Sequence, residues 1–80
     1  MNAYADIYVI LKRLTKSATH ADINNQLKSQ YGYTVNWTPI RSLVALGILK
    51  EGFNAKQERT YSLTKNADEN IKKVLTIFYQ

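Results

Sequence analysis

Four residues in the middle of the chain have types and spacing suited to recognising another molecule. Thr38, Arg41, Ser42 and Ala45 recur at intervals that put them on one face of a helix, opposite its apolar stripe. Three of them are small, so the helix backbone can approach a partner closely. Arg41 carries a planar fork of donors that matches the two major-groove acceptors of guanine. This face is a candidate for base recognition, and the alternative is an ordinary solvated helix face.

A second polar group lies between two β-prone runs further along the chain. Lys56, Gln57 and Arg59 lie in or beside this polar segment, which has the length of a hairpin tip. Such side chains are candidates for contacts with phosphates or a minor groove, and the alternative is a solubilising tip. Lys28, on the preceding helical segment, is a further candidate for a phosphate contact.

Residues for catalysis or metal binding are scarce. The chain has no cysteine and one histidine, which excludes a thiolate nucleophile, a disulfide framework and a cysteine-based zinc site. Asp6 and Asp22 do not form a convincing carboxylate pair, and no glycine-rich phosphate loop or nucleophile elbow is present. We therefore expect no enzyme activity, no metal and no cofactor.

Length and charge narrow the class of protein. Eighty residues with 11 Lys and Arg against 6 Asp and Glu give one small domain with a net charge of +5. Its apolar runs are far shorter than the roughly 18 residues that span a bilayer, and the N-terminus does not resemble a secretory signal. We expect a soluble cytoplasmic protein with no membrane partner, and the basic excess favours a polyanion.

Hydrophobic periodicity predicts the elements that would position these side chains. Helices are expected over about residues 3–16, 20–31 and 38–46, strands over about 48–54 and 59–63, and a last helix over about 65–79. Thr19 with Asp22 suits a helix start, and Thr64 resembles another cap. Residues 33–35 are β-prone and predict a short stub of strand.

Two further details of this prediction concern the third helix and the two long strands. The third helix has two candidate caps, Asn36, which would place Pro39 in the first turn, and Thr38, which would place it at the first helical position. In the run from 48 to 54, Leu49 and Phe53 are expected on one face, and in the run from 59 to 63, Tyr61 and Leu63 are expected to alternate inward.

The order of elements resembles a winged helix-turn-helix domain. The resemblance rests on Ile23-x3-Leu27, on Thr38-x-Ile40-Arg41-x-Leu43-x2-Leu46-Gly47-Ile48-Leu49, and on Tyr61-Ser62-Leu63-Thr64. Many small bacterial, archaeal and viral regulators carry a similar progression, and the match covers nearly the whole chain. It implies an α+β, mainly α fold with a three-helix core, a two-stranded wing and an additional C-terminal helix.

In the resembling family the third helix enters the major groove and the wing tip touches the backbone or minor groove. The resemblance implies double-stranded DNA as the partner, read by Thr38, Arg41, Ser42 and Ala45. Asn36 and Trp37 open the segment, Asn36 chiefly as a cap and Trp37 more as a packing residue than as a DNA contact. Two departures are Pro39 at the helix start and Glu58 in a wing tip with a single lysine.

Wide apolar faces on the first and last helices predict a homodimer. A core this small seldom stabilises two such faces alone, so we expect a twofold interface. The expected interface residues are Tyr4, Tyr8, Ile71, Val74, Leu75 and Phe78. The alternative is that the last helix closes the core of a single chain.

These observations favour a small dimeric transcription regulator, a repressor being the simplest form, associated with the nucleoid. One alternative is a protein-interaction module on the same fold, and another is an architectural or replication factor that binds DNA. The small size and seven asparagines also suit a virus or mobile element.

Overall fold

The computed structural model describes residues 2–78, with side chains up to residue 76. Within this range the chain forms four helices and a three-stranded sheet. The elements are α1 (Ala3–Leu14), β1 (Ala18–Thr19), α2 (His20–Tyr31), α3 (Trp37–Ala45), β2 (Leu49–Phe53), β3 (Arg59–Leu63) and α4 (Ala67–Phe78). The predicted α+β, mainly α class is confirmed.

Local capping explains where the first two helices begin and end. Asn2 accepts a hydrogen bond from the backbone N–H of Ala5, and α1 ends at Thr15, whose φ of 54° is left-handed. Helix α2 begins with a capping box in which the Thr19 hydroxyl and the Asp22 carboxylate each bond to the other residue's backbone. Gly32, with a φ of 78°, ends α2.

The sheet has the order β1-β3-β2, and both pairings are antiparallel. The strand predicted at residues 33–35 is wrong, because this segment is a loop whose backbone bonds to side chains of α2. The strand that completes the sheet beside β2 and β3 is instead the two-residue β1, in which Ala18 lies opposite Tyr61. A pair this short has no periodicity to detect.

The core lies where helices α1, α2, α3 and α4 meet the sheet. Aliphatic side chains fill it, and those of Ile7, Ile23, Leu27, Ile40, Leu43 and Ile48 are fully buried. Of the two residues expected on one face of β2, Leu49 is buried, whereas Phe53 is 64 % exposed. The two residues are on the same side of β2, but the core ends before the strand does.

The junction between α3 and β2 is connected to α4 through one carbonyl. Gly47 has a φ of 76°, and its carbonyl oxygen accepts bonds from the Thr64 hydroxyl at 2.6 Å and from the Asn70 amide at 3.1 Å. The expectation that the Thr64 side chain caps the last helix is therefore wrong. That hydroxyl is used at Gly47, and α4 begins at Ala67, whose N–H bonds to the Thr64 carbonyl.

Polar contacts also connect α1 to the first turn of α4. Lys12 Nζ lies 2.8 Å from one carboxylate oxygen of Asp68, and the Tyr8 hydroxyl donates to the same oxygen. The bonds from Lys12 and Tyr8 hold the pKa of Asp68 below its usual value. The same carboxylate raises the pKa of Tyr8 and of Lys12. We call these three residues the α1–α4 cluster.

Replacing Gly47 should cost more stability than replacing Gly32. Both have left-handed backbones, so alanine adds strain of roughly 1–2 kcal/mol at either position. A Cβ on Gly47 would also lie 2.9 Å from the Asn70 amide nitrogen, whereas a Cβ on Gly32 would meet nothing within 4 Å. We expect Gly47→Ala to lower the unfolding free energy by about 2–3 kcal/mol, because the Asn70 bond is also disturbed. Urea denaturation measures this, with Gly32→Ala as the matched control, and equal losses would contradict it.

The α1–α4 cluster should make stability depend on pH. A lowered Asp68 pKa means that the stabilisation is complete above roughly pH 4 and is lost as the pH falls through the folded-state pKa. The raised pKa values of Tyr8 and Lys12 act oppositely, so their contribution is lost above roughly pH 10. We expect Asp68→Asn to lower the melting temperature at pH 7 and to differ less from the parent at pH 3. Glu69→Gln is the control, and a difference that persists at pH 3 would contradict the assignment.

Candidate nucleic-acid interface

The face of α3 predicted for recognition is presented to solvent. Ile40 and Leu43 are fully buried, and they fix the opposite side of the helix in the core. Thr38, Arg41 and Ala45 are exposed, and Ser42 is half-buried. The structure therefore brings the four predicted residues together on one accessible face.

Helix α3 begins at Trp37, one residue before the predicted start. The Asn36 side chain accepts the N–H of Thr38 at 3.0 Å, so Asn36 is the cap and the alternative cap Thr38 is wrong. Pro39 is then the third helical residue, where an N–H would have no partner within the helix. Proline therefore costs α3 no hydrogen bond.

Trp37 is not a packing residue, contrary to the sequence-based interpretation. Its side chain is 56 % exposed, and the guanidinium carbon of Arg41 lies 4.9 Å from the centre of its ring. Trp37 and Arg41 are one helical turn apart, so α3 itself brings them into contact. A large exposed aromatic ring therefore borders the face that carries Arg41.

The loop between α2 and α3 is held by a feature that the sequence analysis missed. The Asn24 side chain accepts the N–H of Val35 at 2.9 Å and donates to its carbonyl at 3.0 Å. His20 Nε2 lies 2.8 Å from the same carbonyl and acts as a donor, because a carbonyl only accepts. We call Asn24, His20 and Val35 the Asn24 clamp. Its only signal in the sequence is an asparagine beside the apolar stripe of α2.

The wing tip is ordered by Asn54. Its side-chain oxygen accepts the N–H of Lys56 at 2.9 Å and that of Glu58 at 3.0 Å, and Gln57 adopts a left-handed φ of 66°. Lys56 and Gln57 are exposed at this tip, as the hairpin prediction required. Lys28 is exposed in the last turn of α2.

Arg59 is held against its own strand pair. Its Nε lies 3.6 Å from a carboxylate oxygen of Glu51, and its guanidinium carbon lies 5.9 Å from the centre of the Phe53 ring. Phe53 and Arg59 are direct partners across the two strands. The wing therefore presents an arginine that is partly neutralised, beside an exposed aromatic ring.

Two of the expected dimer residues belong to the core of the single chain. Ile71 and Val74 are each 4 % exposed and pack among the core side chains, so α4 in this position offers a second copy little of either side chain. Tyr4, Tyr8 and Leu75 are partly buried against the same core. The side chain of Phe78 lies outside the described residues.

The part of the chain that the structure describes contains neither a group of metal ligands nor a membrane-spanning helix. No three His, Asp or Glu side chains of residues 2–76 group as metal ligands would. No helix among the described residues is long and apolar enough to cross a bilayer.

Comparison with known proteins identifies the fold. No family model matches the sequence, and no curated protein matches it. A structure of RosR from H. salinarum, a winged-helix transcription regulator, is similar over 99 % of this chain and 78 % of RosR, with a TM-score of 0.68 and 20 % identity. A complex structure of hsRosR-S4 covers 99 % of this chain and 74 % of its own, with a TM-score of 0.71 and 20 % identity. The chain has the winged-helix fold, and the resemblance drawn from its sequence is confirmed.

Removing the Asn24 clamp should destabilise the protein. In Asn24→Ala the N–H and carbonyl of the half-buried Val35 lose their amide partner, and an unsatisfied group costs about 1–3 kcal/mol. We expect a loss of that size in urea denaturation, with larger amide chemical-shift changes in residues 33–41 than in α4. Asn25→Ala, at the exposed neighbouring position, is the control. Equal stability of the two variants would contradict the role of the clamp.

Proposed function

We propose that this protein binds double-stranded DNA at specific sequences and acts as a small transcription regulator. Helix α3 would lie in the major groove, with Thr38, Arg41, Ser42 and Ala45 toward the base edges. The observation that carries the proposal is the exposed face of α3 in a winged-helix fold. The side chains on this face are small, except for one arginine. The fold shared with the regulator RosR supports the same class of function.

The charge distribution supports contacts with a phosphate backbone beside that face. The net charge is +5, and the exposed lysines Lys28 and Lys56 lie on α2 and at the wing tip. The N-terminus of α3, capped by Asn36, adds N–H groups that favour an anion. Glu51 and Glu58 reduce the charge of the wing, so the wing would position the domain more than it would attract DNA. The protein would then work at the nucleoid, in the cytoplasm.

A twofold dimer would give two reading helices for two halves of a palindrome. Because Ile71 and Val74 are used in the core, the second copy would pack on the outer surface of α1 and α4, beside Tyr4, Tyr8 and Leu75. A regulator built on this domain would repress by occupying its operator.

A protein-interaction module is the second candidate. The observation that favours it is the pair of exposed aromatic side chains, Trp37 and Phe53, with acidic residues on the wing. Salt dependence separates the two functions, because binding to DNA releases counterions and weakens steeply with salt.

The experiment is selection from a randomised duplex pool at two salt concentrations, read by fluorescence polarisation and sequencing. An enriched palindrome with salt-sensitive binding supports a dimeric regulator. Salt-sensitive binding without enrichment supports an architectural factor. No binding at low salt contradicts the proposal and favours the protein-interaction module.

Two substitutions should separate base reading from phosphate binding. Arg41→Ala should cost about 1–3 kcal/mol on the selected duplex and relax the preference at one base pair, whereas Lys56→Ala should weaken all sequences alike and flatten the salt slope. Polarisation titrations on selected and scrambled duplexes measure both effects.

The controls remove the same charge elsewhere. Arg13→Ala changes α1, where Arg13 donates to Gln30, and Lys72→Ala changes the exposed side of α4. Unchanged specific affinity in Arg41→Ala would show that the reading face is wrongly assigned. A loss as large in Arg13→Ala would show that only net charge matters.

A further inference from the structure

The three arginines of the chain differ in what holds them. Arg13 donates to the Gln30 side chain at 2.7 Å, and Arg59 lies 3.6 Å from Glu51. The Arg41 side chain makes no hydrogen bond or ion pair with any described residue, and its contact is the Trp37 ring, whose centre lies 4.9 Å from the guanidinium carbon. Among the described arginines, Arg41 is therefore the one whose side chain is positioned by an aromatic ring alone.

A ring and a carboxylate restrain an arginine in different ways. A carboxylate takes up N–H donors of the guanidinium and cancels its charge. An aromatic face attracts the cation through its quadrupole and leaves the donors at the edge of the guanidinium plane open. The Trp37 contact thus limits the motion of Arg41 and keeps both its charge and its donors available.

Neither partner has another evident role in folding. Arg41 is exposed, Trp37 is more than half exposed, and the core of α3 consists of Ile40 and Leu43 on the opposite side. A tryptophan at this position exposes apolar area without contributing to the interior. Its contact with Arg41 is the interaction that the structure gives it.

We infer that Trp37 is a positioning residue for specificity: its indole orients the Arg41 guanidinium so that two parallel donors meet N7 and O6 of one guanine. This inference rests on the proposed function, because it assumes that α3 lies in a major groove. It makes guanine at one position of each half-site the base on which discrimination depends. Trp37 acts through Arg41, and its removal leaves binding to arbitrary duplex largely intact.

The first test concerns the free protein. Ring currents of the indole should shift the side-chain proton resonances of Arg41 upfield in NMR spectra, and Trp37→Ala should abolish that shift. Trp37→Phe should keep part of it, because phenylalanine also presents an aromatic face. Tyr31→Ala is the matched control, since Tyr31 is another exposed aromatic, 40 % accessible, on a different helix. No upfield shift in the parent protein overturns the inference before any DNA is added.

The second test uses the duplex selected from the random pool and a copy with 7-deazaguanine at the position that Arg41→Ala relaxes. The modified base lacks the N7 acceptor, so the parent should discriminate against it. Trp37→Ala should reduce that discrimination by about threefold to thirtyfold, the range expected for one cation–π contact, and Trp37→Phe should restore part of it. Affinity for a scrambled duplex should be nearly unchanged.

A double-mutant cycle tests whether Trp37 affects base discrimination through Arg41. In an Arg41→Ala background, Trp37→Ala should produce no further loss of discrimination. An equal loss in both backgrounds, or an equal loss on selected and scrambled duplexes, overturns the inference and makes Trp37 a direct contact. If the parent binds no duplex at all, the proposed function fails and the inference fails with it. A ring-current shift that is still present in the free protein then shows that the failure lies in the proposed function and not in the contact between Trp37 and Arg41.

Discussion

The two-sided pairing of the Asn24 side chain with the backbone of Val35 is the contact on which the position of α3 depends. Residues 33–36 form neither helix nor strand, so their N–H and carbonyl groups need partners outside regular structure. One amide side chain supplies both a donor and an acceptor, and His20 supplies a second donor. The loop is thereby held to α2, and Asn36 caps α3 immediately after it.

The opposite end of α3 is held by a different device. Gly47 turns the chain from α3 into β2, and its carbonyl is bound by Thr64 and Asn70 from the region of α4. The α1–α4 cluster then joins the start of α4 to α1. Both ends of α3 are thus connected to the other helices by polar bonds, and its middle is anchored by Ile40 and Leu43. Such a helix can present a rigid outer face, which recognition of base edges requires.

Periodicity explains how much of this could be predicted from the sequence. The apolar stripes of the helices recur at a spacing that only a helix satisfies, so the order of elements and the α3 face were accessible. Period-two alternation identifies the side of a strand but not where the core ends, so it placed Phe53 on the face of Leu49 without showing that Phe53 is exposed. The apolar character of Trp37 suggested that its side chain packs in the protein. The sequence does not show that the ring contacts Arg41, which lies one helical turn away. No sequence pattern predicts the role of Asn24, because that role consists of hydrogen bonds between one side chain and the backbone of another segment.

In the proposed complex with DNA, the two arginine–aromatic pairs would let one small domain separate affinity from specificity. On the wing, Glu51 lies beside Arg59, so the local charge is reduced and any attraction to phosphate there is weak. On α3, no described acidic group bonds to Arg41, and the ring of Trp37 restrains it without using its donors. A guanidinium held this way loses less rotamer freedom on binding than a free one and still makes its full set of hydrogen bonds. In the proposed complex with DNA, the carboxylate beside one arginine and the indole beside the other would therefore assign positioning to the wing and discrimination to the helix.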